Sequence, residues 1–183
     1  MADTAIVGEN VEVIQTRGPR TAFSWSVVIA GALAAWAVAF IFISLGTGVG
    51  LAVSTPYSGP SAAAMTIAGA VWLVFSETAA FATGGYLAAR LRIRDHIPGS
   101  ETKFRDAAHG FMVWVIGVGL MIIAVFLTTA LSTHIEAQTS TAITDEARKA
   151  VAYLSFWSFM ALLFGATAAT LAGILGGELR DEV

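Results

Sequence analysis

The chain has 183 residues, of which 56% are hydrophobic and only 13% charged. A soluble domain carries roughly a quarter charged residues, so the excess fits a lipid-facing surface better than an oversized core. Cysteine is absent, which excludes disulfides, iron–sulfur clusters, thiolate zinc sites and cysteine nucleophiles; the net charge of −3 says little, because the charges are unevenly placed.

Residues 1–22 are polar and mixed in charge and read as a flexible tail. They hold Asp3, Glu9 and Glu12 and no apolar core, so no cleavable signal peptide is expected. The first apolar run covers about 23–53. Trp25 stands at its start, at the depth where an indole prefers the headgroups. Gly46, Gly48 and Gly50 lie near its far end. A dinucleotide loop needs a third glycine three residues after the second, between a strand and a helix. Leu51 stands at that point, so Gly46 and Gly50 read instead as a small-xxx-small packing pair.

A short turn through Pro56, Gly59 and Pro60 leads to a second run, about 61–91. It is long enough to cross a bilayer. The polar loop from Arg92 to Arg105 follows, then a third span, about 107–133, with Asp106 as its N-cap or first-turn acid. Gly110, Gly117 and Ala124 recur on it every seven residues. After a Ser/Thr-rich loop, Thr144 reads as the N-cap of a fourth helix, whose span is about 151–177; a short tail, 178–183, ends the chain. Ala161, Gly165, Ala169, Gly173 and Gly177 recur on the fourth span every four residues, which allows close backbone approach. The fold class expected is therefore all-α: a polytopic membrane protein with four transmembrane helices in two antiparallel hairpins. Arg17, Arg20, Arg90, Arg92, Arg94, Lys103, Arg105 and Arg180 would share one side, against Arg148 and Lys149 on the other. That bias places both termini in the cytoplasm.

Within the spans, Glu77 is the residue most open to a functional reading. It lies about 20 Å of helix from Arg90, near mid-bilayer. An acid at that depth is expensive and so implies function by default. It shares a helix face with Ala70, Val74, Ala80, Phe81, Gly84 and Ala88, and no Lys or Arg lies in any span short of Arg90 at the end of the second. Trp36, Ser158 and Thr167 are the polar neighbours expected at similar depth. One reading is a proton or cation site. The other is a neutral acid hydrogen-bonded inside the bundle or to a partner chain. Asp106 and His109, three residues apart, are expected to form an interfacial pair. Arg90, Arg92, Arg94, Lys103 and Arg105 form a belt expected to contact anionic headgroups, each contact contributing about 1 kcal/mol. No aromatic platform accompanies it, so nucleic acid is not an expected partner. His96, His109 and His134 are dispersed in depth, which argues against bis-histidine haem and against a histidine-rich metal centre. No cofactor, metal site or enzyme active site is expected.

Ser24-Trp25 opening the first span, Gly84-Gly85-Tyr86 through Arg90-Leu91-Arg92 closing the second, and Asp106 to Gly110 opening the third resemble a family of small four-span alphaproteobacterial inner-membrane proteins, some labelled PhnA-like. The resemblance covers roughly residues 23–133. It implies a multi-pass inner-membrane location and no established activity. The expected function is a non-catalytic membrane protein, a homo-oligomer or an accessory subunit whose glycine stripes dock other helices. The alternative is a small proton- or cation-coupled transporter or channel using Glu77.

Overall fold

The computed structural model describes residues 23–54, 61–93, 99–133 and 145–182, and within them the protein is all-helical. The order is α1 (Trp25–Val53), α2 (Ala62–Arg90), α3 (Gly99–Thr133) and α4 (Asp145–Asp181). Long apolar runs become helices because a helix satisfies its own backbone groups where no water can. Each of the four is long and apolar enough to cross a membrane. The ends are set locally. Ser61 caps α2 by accepting from the Ala64 N–H at 3.2 Å. Ser54 closes α1, its N–H and hydroxyl both donating to the Gly50 carbonyl. The tail 1–22, the turn through Pro56 to Pro60, and Arg94, His96, His134 and Thr144 lie outside the described residues.

Helices α3 and α4 begin earlier than the apolar pattern implies. Residues 99–105 were expected as loop, yet they form the first two turns of α3. Arg105 and Glu101 sit four apart and pair at 2.8 Å, while Thr102 and Asp106 are buried. The segment is thus an amphipathic helix with one inward polar face, which a search for apolar runs passes over. Asp106 lies two turns inside α3 and is not its cap. On α4 the polar turns from Asp145 to Ala150 are likewise helical.

α2 and α3 each pack against all three other helices, whereas α1 and α4 do not meet. α2 and α4 run parallel: Phe81 lies over Gly165 and Gly85 over Ala169, four residues on in both helices. The main core cluster lies in one half of the bundle, the half holding the start of α1, the end of α2, the start of α3 and the end of α4. Here this half is called the arginine end; among the described residues, only Ala70 and Ser76 of α2 are buried in the other half. Val28, Ala32 and Ala35 of α1, Phe81 and Ala88 of α2, Val113 of α3 and Ala169 of α4 form one cluster at the arginine end. Among the described residues, none of α1 beyond Ala35, of α3 beyond Gly117 or of α4 before Ala161 is buried.

Glycines permit the close packing at the arginine end. A Cβ on Gly31 would strike the Gly84 carbonyl, and one on Gly84 the Gly31 carbonyl, each at 2.5 Å. Gly85 and Gly110 both abut the Ala169 backbone, and Gly176 abuts Tyr86. Gly173 abuts Asp106 and Gly110; Gly117 and Gly165 receive the Phe81 ring. Gly84 on the second span, Gly110 and Gly117 on the third, and Gly165, Gly173 and Gly177 on the fourth therefore meet neighbours within the chain. On α1, Gly46 makes room for the Trp72 indole, but a Cβ on Gly50 would meet only the Met65 methyl at an ordinary 3.8 Å. Gly50 is thus no close-approach position.

Candidate functional site

Two groups of polar side chains lie inside the bundle. The first is at the arginine end. Asp106 projects from α3 into the space left by Gly177, whose Cβ position its carboxylate would occupy. Only 2% of Asp106 is exposed. Arg180 of α4 donates to it through two nitrogens, Nη1 to Oδ1 and Nη2 to Oδ2, both at 3.2 Å. The same Nη1 donates to the Ala89 carbonyl of α2 at 3.0 Å. Arg92 Nε lies 2.9 Å from Asp106 Oδ1 on the other side. The outer edge of Arg180 meets Asp181 at 2.9 Å. One buried carboxylate thus ties three helices through two guanidiniums. Bidentate arginine geometry makes such contacts strong and directional.

This arrangement removes Arg92 from the expected headgroup belt. Arg92 points inward to Asp106 and is buried. Lys103 pairs with Glu178 at 2.7 Å and Arg105 with Glu101. Of the four described members, Arg90 alone has no acid beside it among the described residues, and its Nη1 is enclosed without a hydrogen-bond partner there. Arg180, read from the sequence only as a topogenic charge, is the central donor. The signal available was Gly177, three residues earlier on the same helix face.

His109 does not pair with Asp106. Its Nε2 accepts from the Ser24 N–H at 3.0 Å, and its Nδ1 lies 2.6 Å from the Arg105 carbonyl. Because Ser24 N–H can only donate, Nε2 is the acceptor and the proton resides on Nδ1: a neutral ring with both nitrogens used. Phe23 stacks on it at 4.5 Å between centroids. His109 fastens the start of α1 to α3, while Asp106 fastens α3 to α2 and α4.

The second place is Glu77. Its face of α2 also carries the buried Ala70, Ala80, Phe81, Gly84 and Ala88, so the side chain is directed into the bundle. It lies one turn beyond Phe81, where the core ends, and is only half-buried. None of the expected neighbours reaches it. Trp36 donates to the Gly117 carbonyl at 3.1 Å. Thr167 is exposed and donates to Leu163 of its own helix, and Ser158 is exposed on α4. The nearby hydroxyls of Ser76 and Thr78 donate to Trp72 and Val74 of α2 itself. The enclosed indole N–H groups of Trp114 and Trp157 have no acceptor, so neither is bonded to Glu77. Among the described residues, the carboxyl has no hydrogen-bond or ion-pair partner.

A groove of about 500 Å³ lies between α1 and the first half of α2, and Glu77 is not part of its lining. Gly46, Gly50, Gly69, Trp72 and Leu73 line it, with Thr47 and Ser76 as its polar members. It contains no acid, base or nucleophile of a catalytic kind. Among the described residues, no group of three His, Cys, Asp or Glu side chains could hold a metal ion. No protein-family model, no curated protein and no solved structure matches the chain.

Proposed function

We infer that this chain is a non-catalytic integral membrane protein acting as a subunit of a membrane assembly, either with copies of itself or as an accessory subunit. One observation carries the reading: the bundle is closed at the arginine end and open beyond Phe81, and the open part holds a single mid-depth acid without a partner. An inward-directed carboxyl in hydrocarbon demands a companion, and among the described residues there is none. The stripe glycines of the second, third and fourth spans no longer bear on assembly, since they meet neighbours within the chain. The positive-charge bias supports a cytoplasmic arginine end, with Arg90 and Arg94 at anionic headgroups. The family resemblance at Ser24-Trp25, Gly84–Arg92 and Asp106–Gly110 supports a bacterial inner membrane. A second reading, a proton- or cation-coupled transporter or channel, draws on Glu77 alone.

The test is extraction into native-lipid discs followed by intact-mass measurement. The expected result is a particle heavier than one copy, with Glu77→Leu reducing the heavier species. A monomer that moves protons or cations across vesicles in a Glu77-dependent way would replace this reading with the second.

A further inference from the structure

Three occupants could answer Glu77, and their chemistries differ. An inorganic cation such as calcium takes six to eight oxygen ligands. Among the described residues the surroundings offer one carboxyl, and the nearby Ser76 and Thr78 hydroxyls lie against carbonyls of their own helix, far short of such a ligand set. The exposed walls beyond Phe81 are apolar, with Ile122 and Phe126 on α3 and Phe156 and Phe159 on α4. A second copy of this chain also fits poorly. No Lys or Arg occurs between Ser26 and Ala89, between Asp106 and Thr133, or between Ala150 and Leu179. The membrane-depth histidine, His109, is fully buried and engaged at both nitrogens. A copy would therefore bring apolar surface and a second acid, and no cation at this depth.

A helix with an apolar surface and one positive charge would answer both the acid and the exposed faces. We propose that the open half of the bundle seats a transmembrane helix of a different chain, whose single basic side chain at mid-bilayer depth pairs with Glu77. The occupant's apolar surface meets the exposed faces of α3 and α4, which run free for about 20 Å beyond Gly117 and before Ala161. Its charge satisfies the acid, so two groups that are each costly alone in hydrocarbon become tolerable together. This rests on the reading of the chain as an assembly subunit and specifies the partner.

The experiment uses the full chain reconstituted in phosphatidylcholine vesicles with labelled host peptides. One peptide is a Leu/Ala transmembrane helix with a central Lys; the control carries Leu there. Energy transfer should show the Lys peptide binding about three- to tenfold more tightly, in keeping with the modest strength of polar contacts between membrane helices. Glu77→Gln should abolish the preference, and Glu77→Lys should transfer it to a peptide with a central Glu. Equal binding of the Lys and Leu peptides by the wild-type chain overturns the charge pairing and leaves the assembly reading standing. Persistence of the Lys preference in Glu77→Gln also overturns it. If neither peptide binds and native-disc extraction yields only monomer, both readings fall. The wild-type comparison decides the matter even where a variant misfolds.

Discussion

Asp106 is the side chain whose loss should damage this protein most. Replacing it by Asn leaves Arg92 and Arg180 buried around a neutral amide. Breaking a buried pair by removing one partner costs about 3–5 kcal/mol, and a two-cation site gives no reason for less. Asp106→Asn should therefore lower stability by about that amount in reversible detergent unfolding. Glu101→Gln, which breaks only the more exposed pair with Arg105, should cost no more than about 1 kcal/mol. His109 offers a second test. His109→Phe keeps a ring for Phe23 to stack on and loses both hydrogen bonds, leaving the Ser24 N–H without its acceptor. A loss of about 1–3 kcal/mol is expected, and labels at Ser24 should show the start of α1 detaching before the rest of the bundle melts. An unchanged label mobility would mean that stacking alone holds that end.

At the scale of elements, the glycines differ sharply in what they do. Gly173→Leu should unfold the arginine end, because the α3 backbone at Asp106 and Gly110 stands where the side chain would go. Gly50→Ala should be nearly silent, since the new methyl finds ordinary contact distance. Thermal melts of the two variants against wild type separate a packing stripe from a fortuitous one. The same contrast shows what sequence reading could reach. Four long apolar runs make four helices legible, because in hydrocarbon no other element satisfies its backbone. The inward face of Glu77 was legible because its helical neighbours are small. The polar starts of α3 and α4 were not, since an amphipathic helix and a charged loop share a composition. The Asp106–His109 pair was misread for a geometric reason: three residues leave about 60° between side chains, enough for each to serve a different helix. Arg180 was missed because its partner lies 74 residues away, a separation at which local spacing carries no signal. Gly50 looked equivalent to Gly46, and only the position of the Trp72 ring distinguishes them.

For the whole molecule, the polar interior and the packed core coincide at one end, and the other end is held by α1–α2 contacts around Trp72. Topology is directly testable. Reporter fusions after Arg94 and after Val183 should report cytoplasm, and fusions near Gly59 and Gln138 the opposite side. An opposite-side signal at Arg94 would overturn the orientation.

The knot around Asp106 also sets an order of events during synthesis. The chain emerges from its N-terminus, so Asp106 enters the membrane with Arg92 only 14 residues behind it and Arg180 not yet made. The α2–α3 hairpin can then close at once around a single ion pair, with Gly110 and Gly85 still bare. Helix α4 must slide in alongside α2, and its guanidinium arrives last, engaging the carboxylate and the Ala89 carbonyl in one step. Until that moment the nascent bundle is a three-helix intermediate with an exposed glycine seam, open to quality-control proteases. A chain truncated before Arg180 should therefore be degraded quickly, and one that carries Arg180 should be resistant.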